Sequence, residues 1–158
     1  MKGVTFIQTP FGIVTFVRRD YIMLKQAITY TDFDGNERTE NFYFNLSLPE
    51  LIELYGEYND VVAYIRGLID NGKTHELIEF IKMIVRKSYG IKSDDGRRFV
   101  KSPEISEEFM QTNAYSELFT SFCIDSGKAA QFIASVIPNN IDELAKRAAK
   151  NNPEIKSV

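Results

Sequence analysis

The spacing of apolar residues changes at Asn45, and this change constrains the fold more than any other feature of the chain. Before Asn45, β-branched and aromatic residues occur in short runs that are typical of strands. After it, apolar residues recur at i, i+3, i+4 and i+7, the spacing that places them on one face of an α-helix. The pattern therefore predicts an α+β fold, with N-terminal β-hairpins followed by a compact bundle of six to seven short helices.

Two short strands predict a first hairpin. They cover residues 4–8 and 13–17, and Pro10 and Gly12 between them take positions that a tight turn favours. No later linker is rich enough in glycine, serine or proline to divide the chain. We therefore expect a hairpin region over residues 1–45, a helical bundle over residues 46–150 and a flexible tail over residues 151–158. The favoured arrangement is one domain that contains hairpins and bundle, and the alternative is that the N-terminal strands sit apart from the bundle.

A second hairpin is predicted between residues 27–33 and 36–44. Asp34-Gly35 joins the two runs, and this pair suits the positive backbone angles of a two-residue turn. Phe42 and Phe44 fall on one face of the second strand, and Tyr30 can pair with that face from the first strand. We therefore expect at least this face of the hairpin to be buried.

Capping residues predict where the helices begin and end. Glycine or proline follows several of the apolar stripes, and Asn140 is expected to cap a last helix over residues 141–150. Gly90 is expected to end the third helix in a left-handed conformation, directly after Tyr89. The predicted N-terminal caps are the Ser47-x-x-Glu50 capping box, Asn59-Asp60, Thr74 and Ser102, which precedes Pro103.

The composition is that of a globular domain. The chain has 158 residues, 44% of them hydrophobic, which is enough to form a core without disulfides or metal. Its single cysteine, Cys123, lies at an apolar helical position and is expected to be a small buried residue. The net charge of −3 gives no general attraction to nucleic acid or anionic lipid, and no apolar run is long enough for a membrane span. We therefore expect neither nucleic acid nor a membrane as a partner.

The residues that could carry catalysis or bind metal have simpler interpretations. His75, the only histidine, is expected to be an exposed residue at a helix start, because no nucleophile signature accompanies it. Asp32, Asp34 and Asn36 alternate near Gly35, but their spacing does not fit a calcium loop and indicates a hairpin turn. The sequence also lacks a phosphate-binding glycine loop and a cysteine–histidine set for zinc. An enzyme is the least favoured class, and we expect no cofactor.

A basic segment is the main charge feature. Its seven cations are opposed within that span only by Asp94 and Asp95, which leaves a surplus of five positive charges around Tyr89 and Phe99. Such a segment could bind an acidic partner helix or, less favourably, single-stranded nucleic acid. The competing interpretation is a solvated helix end with ordinary surface cations. The seven cations are Lys82, Arg86, Lys87, Lys92, Arg97, Arg98 and Lys101.

Several strings resemble a known family. The blocks KSYG, DGRRFVKS and QTNAYSELF between Lys87 and Phe119, with TDFDGNERTENFYFN from Thr31 to Asn45, resemble the tail assembly chaperones of long-tailed bacteriophages with non-contractile tails. The resemblance covers residues 23–138 approximately. Residues 1–22 lie outside it, so this member either has an extra N-terminal element or can also be translated from Met23.

The resemblance implies a non-enzymatic protein of the infected bacterial cytoplasm. Such chaperones coat the tape measure protein before the tail tube polymerises around it, and they are absent from the finished virion. The resemblance implies the tape measure protein as partner, with the tail tube protein as a further candidate, and self-association into a homo-oligomer. We expect partner binding by the aromatic anchors Tyr115, Phe119 and Phe122 and by Arg97 and Arg98 beside Phe99.

Two other functions are compatible with the sequence. Exposed strands in the N-terminal hairpins could extend a neighbour's sheet, which suits a structural tail or connector subunit that stays in the particle. The basic segment alone would also suit a small regulatory protein that binds a host protein.

Overall fold

The computed structural model describes residues 23–137 and, as backbone only, the strands at residues 5–9 and 12–16. In that part of the chain, four strands precede six helices and two further short strands lie between the third and fourth helices. The predicted α+β class is confirmed. The predicted helix over residues 141–150 and the predicted tail lie outside the described residues. The helices are α1 (Leu48–Tyr58), α2 (Val61–Asp70), α3 (Thr74–Ser88), α4 (Pro103–Met110), α5 (Asn113–Ile124) and α6 (Ser126–Val136).

The strands form two antiparallel sheets. The first hairpin, which the sequence predicts, is a separate two-stranded sheet with Thr9 opposite Gly12. The other four strands form one sheet in the order β3-β4-β5-β6, with β3 and β4 paired along their whole length from Leu24 opposite Phe44 to Thr31 opposite Glu37. The strands are β1 (Thr5–Thr9), β2 (Gly12–Phe16), β3 (Leu24–Thr31), β4 (Glu37–Phe44), β5 (Tyr89–Lys92) and β6 (Phe99–Val100).

The β3–β4 hairpin is present, but its turn is longer than predicted. Asp32 N–H donates to the Asn36 carbonyl at 2.9 Å, and Gly35 N–H donates to the Asp32 carbonyl at 3.0 Å. These bonds close a three-residue loop with Gly35 at φ +85°, so the prediction of a two-residue Asp34-Gly35 turn is wrong. The Asp32 carboxylate favours the longer loop because it accepts bonds from the backbone amides of Asp34 and Asn36. Arg38 and these amides lower the pKa of Asp32 to about 2.

The end of α3 differs from the prediction. Tyr89 begins β5, and Gly90 is not among the positive-φ glycines of the described residues, so the predicted left-handed stop is wrong. Gly90 is needed for a different reason. A Cβ atom there would lie 2.7 Å from Cγ of Lys101 and 2.8 Å from the ring of Phe99. Glycine therefore allows β6 and the residues after it to pack directly on β5.

The core lies between one face of the sheet and the helices. Phe44 is fully buried, and its ring centroid lies 5.1 Å from that of Phe132 in α6 and 5.8 Å from that of Phe109 in α4. Phe42 is half-buried, and its ring lies 6.4 Å from that of Tyr30. The predicted burial of this face of the hairpin is confirmed. Apolar residues from all six helices extend this core, among them Leu51, Val61, Ile84, Phe109, Leu118 and Ile133.

Three predicted helix caps are confirmed and one is wrong. Ser47 and Glu50 form a complete capping box, the Asp60 carboxylate accepts a bond from the Ala63 amide at 3.0 Å, and Ser102 caps α4. Thr74 is not a cap, since it is the first residue of α3 and Lys73 takes the N-cap position without a side-chain bond.

Cys123 is exposed, so the prediction that it is a buried residue is wrong. The buried residues of α5 are Ala114, Leu118 and Phe122, spaced four apart. Cys123 follows Phe122 directly, and one residue step rotates a helix by about 100°, which turns its side chain away from this stripe.

The helix cap that Asp60 forms at the start of α2 can be tested by substitution. Asp60→Ala is expected to lower the free energy of unfolding by about 1 kcal/mol, because the Ala63 amide loses its side-chain acceptor at the start of α2. Asp60→Asn keeps an acceptor and is the matched control, with a change of at most a few tenths of a kcal/mol expected. Urea denaturation followed by circular dichroism measures both. An equal loss in the two variants would contradict the capping role.

Candidate partner-binding surfaces

A groove of about 540 Å³ lies between β3 and the helices α5 and α6. Apolar side chains form part of its lining, namely Ile28 from the sheet, Leu118 and Phe122 from α5, and Phe132 from α6. Charged and amide side chains also line it, namely Glu117, Lys128 and Gln131. The helical spacing of Leu118 and Phe122 and the strand position of Ile28 place these apolar groups at one site. The four apolar residues belong to the core and are only 5–6% exposed, so the groove offers a small apolar contact beside its polar side chains. Such a combination suits an amphipathic segment.

The outer edge of β3 also borders this groove. Asn113 donates its side-chain amide to the Thr31 carbonyl at 2.8 Å, which shows that Thr31 points this carbonyl away from β4. Because backbone groups alternate in direction along an antiparallel strand, Thr29 and Ala27 point theirs the same way. Both residues line the groove. The Ala27 carbonyl already accepts a bond from the Gln26 side-chain amide at 3.4 Å, so the backbone groups of Thr29 are the ones that a bound segment could pair with.

The three predicted aromatic anchors do not share one environment. Phe122 lines the groove, is buried and packs on Phe132 with 5.0 Å between ring centroids. Tyr115 and Phe119 are half-buried and stack on each other at 5.6 Å, with Tyr115 also 5.8 Å from Phe109. They therefore form a partly covered aromatic pair on the neighbouring side of α5.

Tyr115 carries a buried polar atom. Its hydroxyl oxygen has no hydrogen-bond partner among the described residues. Burial raises the pKa of Tyr115, so the phenol is neutral at physiological pH. An unsatisfied buried hydroxyl destabilises a fold, and a partner that supplied an acceptor would remove this cost.

The connection between β5 and β6 presents Arg97 and Arg98 to solvent. Gly96 takes a φ of +73° in this connection, and Ser93 N–H donates to the Arg98 carbonyl at 2.9 Å. Asp95 stabilises the same connection because its carboxylate accepts bonds from the Ser93 hydroxyl and the Arg97 amide, which lower the pKa of Asp95. The two arginine side chains are thus held on an ordered turn.

The basic segment divides into cations that are paired within the chain and cations that are not. Lys82 lies 3.1 Å from Glu79, Arg86 lies 3.8 Å from Glu107, and Lys101 contacts Glu50. In residues 23–137, the other four cations have no carboxylate oxygen within 4.0 Å. We call these four residues the basic face: Lys87, Lys92, Arg97 and Arg98.

Lys101 and Phe99 have structural contacts that the sequence did not indicate. The Lys101 ammonium donates to the Glu50 carboxylate and, at 3.0 Å each, to the carbonyls of Asn45 and Lys87. It thereby ties the end of β4, the capping box of α1 and the end of α3 together. The Phe99 ring lies over Gly90 and is half-buried. The partners of Lys101 are 14 to 56 residues away, so no local pattern could identify them.

The predicted site residues therefore belong to two surfaces. α5 packs mainly against β3, α4 and α6, whereas β5 and β6 pack against each other, with β5 also contacting β4 and α4. One surface includes Phe122 with the neighbouring Tyr115 and Phe119, and the other includes Arg97 and Arg98. The described residues contain no group of three or more potential metal ligands. Within the same residues, no helix has the length and apolar character needed to cross a membrane.

Comparison with known proteins identifies the family of this chain. A family model described as "Phage tail assembly chaperone" matches residues 23–158, which is most of the chain. No curated protein matches the sequence, and no solved structure matches the chain. The matched range contains β3 to β6 and all the described helices, and it excludes the β1–β2 hairpin. The chain therefore belongs to the phage tail assembly chaperone family.

Proposed function

We propose that this chaperone binds the tape measure protein in the cytoplasm of the infected bacterial host, catalyses no reaction and is absent from the mature virion. Family membership gives the general role in tail assembly. The groove between β3, α5 and α6 carries the more specific proposal. A long helical client with an apolar stripe needs a receptor that covers this stripe and leaves polar residues in water. The apolar and polar residues that line the groove support this proposal.

The basic face suggests that charge also contributes to client binding. Its four cations have no carboxylate partner within residues 23–137, so they can attract acidic residues of a partner. Electrostatic attraction accelerates association more than it strengthens the final complex. Arg97 and Arg98 are therefore expected to affect the rate of client binding. The tail tube protein is a second candidate for this face.

A long client also favours weak binding by many copies. Each groove is small, but copies that contact one another along the same client gain effective concentration and hold it more tightly than one copy alone. We therefore propose that the chaperone self-associates. This arrangement would shield the client along its length and still allow release when the tail tube forms.

Blocking the groove tests client binding. Gln131→Trp places a large side chain at the groove lining from an exposed position on α6, and is expected to weaken binding of a purified tape measure fragment by about tenfold or more. Ala134→Trp is the matched control, because Ala134 is an exposed residue of the same helix that does not line this groove. Isothermal titration calorimetry compares the two. Equal affinities would exclude this groove as the client site.

Mass spectrometry of purified virions separates the proposal from a structural role. A chaperone that leaves before maturation should be absent from particles while it is abundant in the infected-cell lysate. Recovery in the particle at the level of a tail subunit would favour a structural tail or connector protein. A pull-down from infected cells that fails to recover the tape measure protein with the intact chaperone would reject the proposed client.

A further inference from the structure

β4 has an open edge over most of its length. It pairs with β5 only at Tyr43 and Phe44, and β5 then pairs with β6. A groove of about 480 Å³ is lined by residues 40–43 of β4 and residues 89–92 of β5. Every residue from 33 to 41 is exposed. Such an edge offers unpaired backbone groups to another strand.

The hydrogen bonds at the end of β4 determine which of its backbone groups face this edge. Asn45 N–H donates to the Ser88 carbonyl at 2.7 Å, on the side of β5. Backbone groups alternate in direction along an antiparallel strand, so Glu37, Thr39 and Asn41 point their amides and carbonyls toward the open edge. Arg38 and Glu40 point theirs toward β3. The open edge therefore has three residues ready to pair.

We propose that this edge pairs with the same edge of a second copy of the chain, antiparallel about a two-fold axis at Thr39. In this register Thr39 faces Thr39 of the second copy, and Arg38 faces Glu40 in both directions. These Arg38–Glu40 positions are non-hydrogen-bonded pairs, where opposite side chains lie closest. A two-fold interface repeats each contact, so the dimer contains two Arg38–Glu40 pairs.

The charges of Arg38 and Glu40 also disfavour the neighbouring registers. A shift of the pairing in one direction places Arg38 opposite Arg38, and a shift in the other direction places Glu40 opposite Glu40. Like charges directly opposite each other destabilise a strand pair. The sequence of β4 therefore selects one two-fold register, with opposite charges facing each other only when the axis passes through Thr39.

Contacts within each chain hold these two side chains in place without using all their hydrogen-bonding atoms. The Arg38 Nε donates to Asp32 at 2.6 Å, and the Tyr30 hydroxyl donates to one carboxylate oxygen of Glu40 at 2.6 Å. Each contact uses one atom of a group that has further donors or acceptors. A second chain can therefore bind the same groups.

The two-fold arrangement also covers exposed apolar side chains. It brings the β3–β4 turn of one copy to the end of β4 where the β5–β6 hairpin of the other copy begins. Phe33 in this turn is 80% exposed, and Ile91 and Val100, which are cross-strand partners in the hairpin, are 51% and 42% exposed. Burial of these side chains would add a hydrophobic contribution to the backbone and charge pairing.

This inference specifies the self-association in the proposed function and rests on it, but its test needs no client. The full chain is expected to form a dimer in sedimentation equilibrium. Thr39→Pro removes an N–H that points away from β3, and is expected to give a monomer with unchanged circular dichroism.

Arg38→Glu and Glu40→Arg should each dissociate the dimer, and the double variant should restore it. Glu37→Arg is the matched charge control and should stay dimeric, because Glu37 faces Asn41 in this register.

Disulfide crosslinking tests the axis directly. Thr39→Cys in a Cys123→Ser background is expected to form a covalent dimer on oxidation, because residues facing each other at the axis lie about 5.5 Å apart between Cα atoms. Glu37→Cys in the same background should stay uncrosslinked, since the two copies of residue 37 are separated by several residues along the strand. A monomeric wild-type chain, or a dimer that persists in Thr39→Pro, would overturn the inference. A monomer that still binds the tape measure fragment would overturn edge pairing and self-association and leave the proposed client intact.

Discussion

Phe44→Ala is expected to lower the free energy of unfolding by about 3–5 kcal/mol. Phe44 is fully buried and contacts aromatic rings from three other elements, Tyr89 in β5, Phe109 in α4 and Phe132 in α6. These neighbours are fixed by their own helices and strands, so they cannot move together to fill the space that the ring leaves. The variant loses the transfer free energy of the ring and keeps most of a cavity.

Urea denaturation followed by circular dichroism measures this loss. Phe44→Leu should cost less than Phe44→Ala, because it fills part of the same space. Ile124→Ala is the exposed control, since Ile124 is 81% exposed and its truncation should change stability by about 0.5 kcal/mol or less. A loss below about 1 kcal/mol for Phe44→Ala would show that this ring does not organise the core.

The features that the sequence predicts correctly depend on residues close together in the chain. The Ser47-Glu50 capping box and the Asp60 cap each join residues three positions apart, and both form as expected. The β3–β4 hairpin was predicted for the same reason. The predicted turn was one residue too short, because the prediction relied on the Asp34-Gly35 pair and did not include the acceptor role of Asp32.

The features that the sequence could not predict depend on long-range packing. β6 has only two residues, which is too short to show any periodicity, so the β5–β6 hairpin was missed. Gly90 was expected to end a helix, but its role depends on Phe99 and Lys101, which lie on the following strand and beyond it.

The candidate binding surfaces also depend on long-range packing, which the sequence does not show. Exposure of Arg97 and Arg98 agrees with their predicted role, which itself stays a prediction. Both grooves depend on how the edges of β3 and β4 lie against other elements, and strand periodicity does not contain this information. Sequence patterns thus identified residue types suited to binding, and only the fold showed which of them share a surface.

Lys101→Met is expected to lower the free energy of unfolding by about 2–3 kcal/mol at neutral pH. Methionine retains an apolar chain of similar length but donates no hydrogen bond, so Glu50 and the carbonyls of Asn45 and Lys87 lose their shared donor. The ion pair is largely shielded, with the Lys101 side chain 19% exposed and the Glu50 side chain 32% exposed. Partial contact with water keeps the loss below that of a fully buried unpaired charge.

The loss should depend on pH. Burial raises the pKa of Glu50, but hydrogen bonds from Lys101 and Ser47 more than offset this effect and leave the pKa below its ordinary value of 4.5. A carboxylate with a lowered pKa stabilises the fold above its ordinary pKa, and this contribution is lost as the pH falls through the lowered value. The difference between wild type and Lys101→Met should therefore be largest near neutral pH and shrink in acid, where Glu50 is protonated in both proteins.

Lys92→Met is the matched control for this experiment. Lys92 belongs to the basic face and has no carboxylate within 4.0 Å among residues 23–137, so its loss should change stability by about 0.5 kcal/mol or less at every pH. Glu50→Gln should reduce the acid dependence of wild-type stability, because it removes the titrating group. If Lys101→Met lost the same free energy at pH 7 and in acid, Lys101 would act by packing alone, and its ion pair with Glu50 would not account for the tie between β4, α1 and α3.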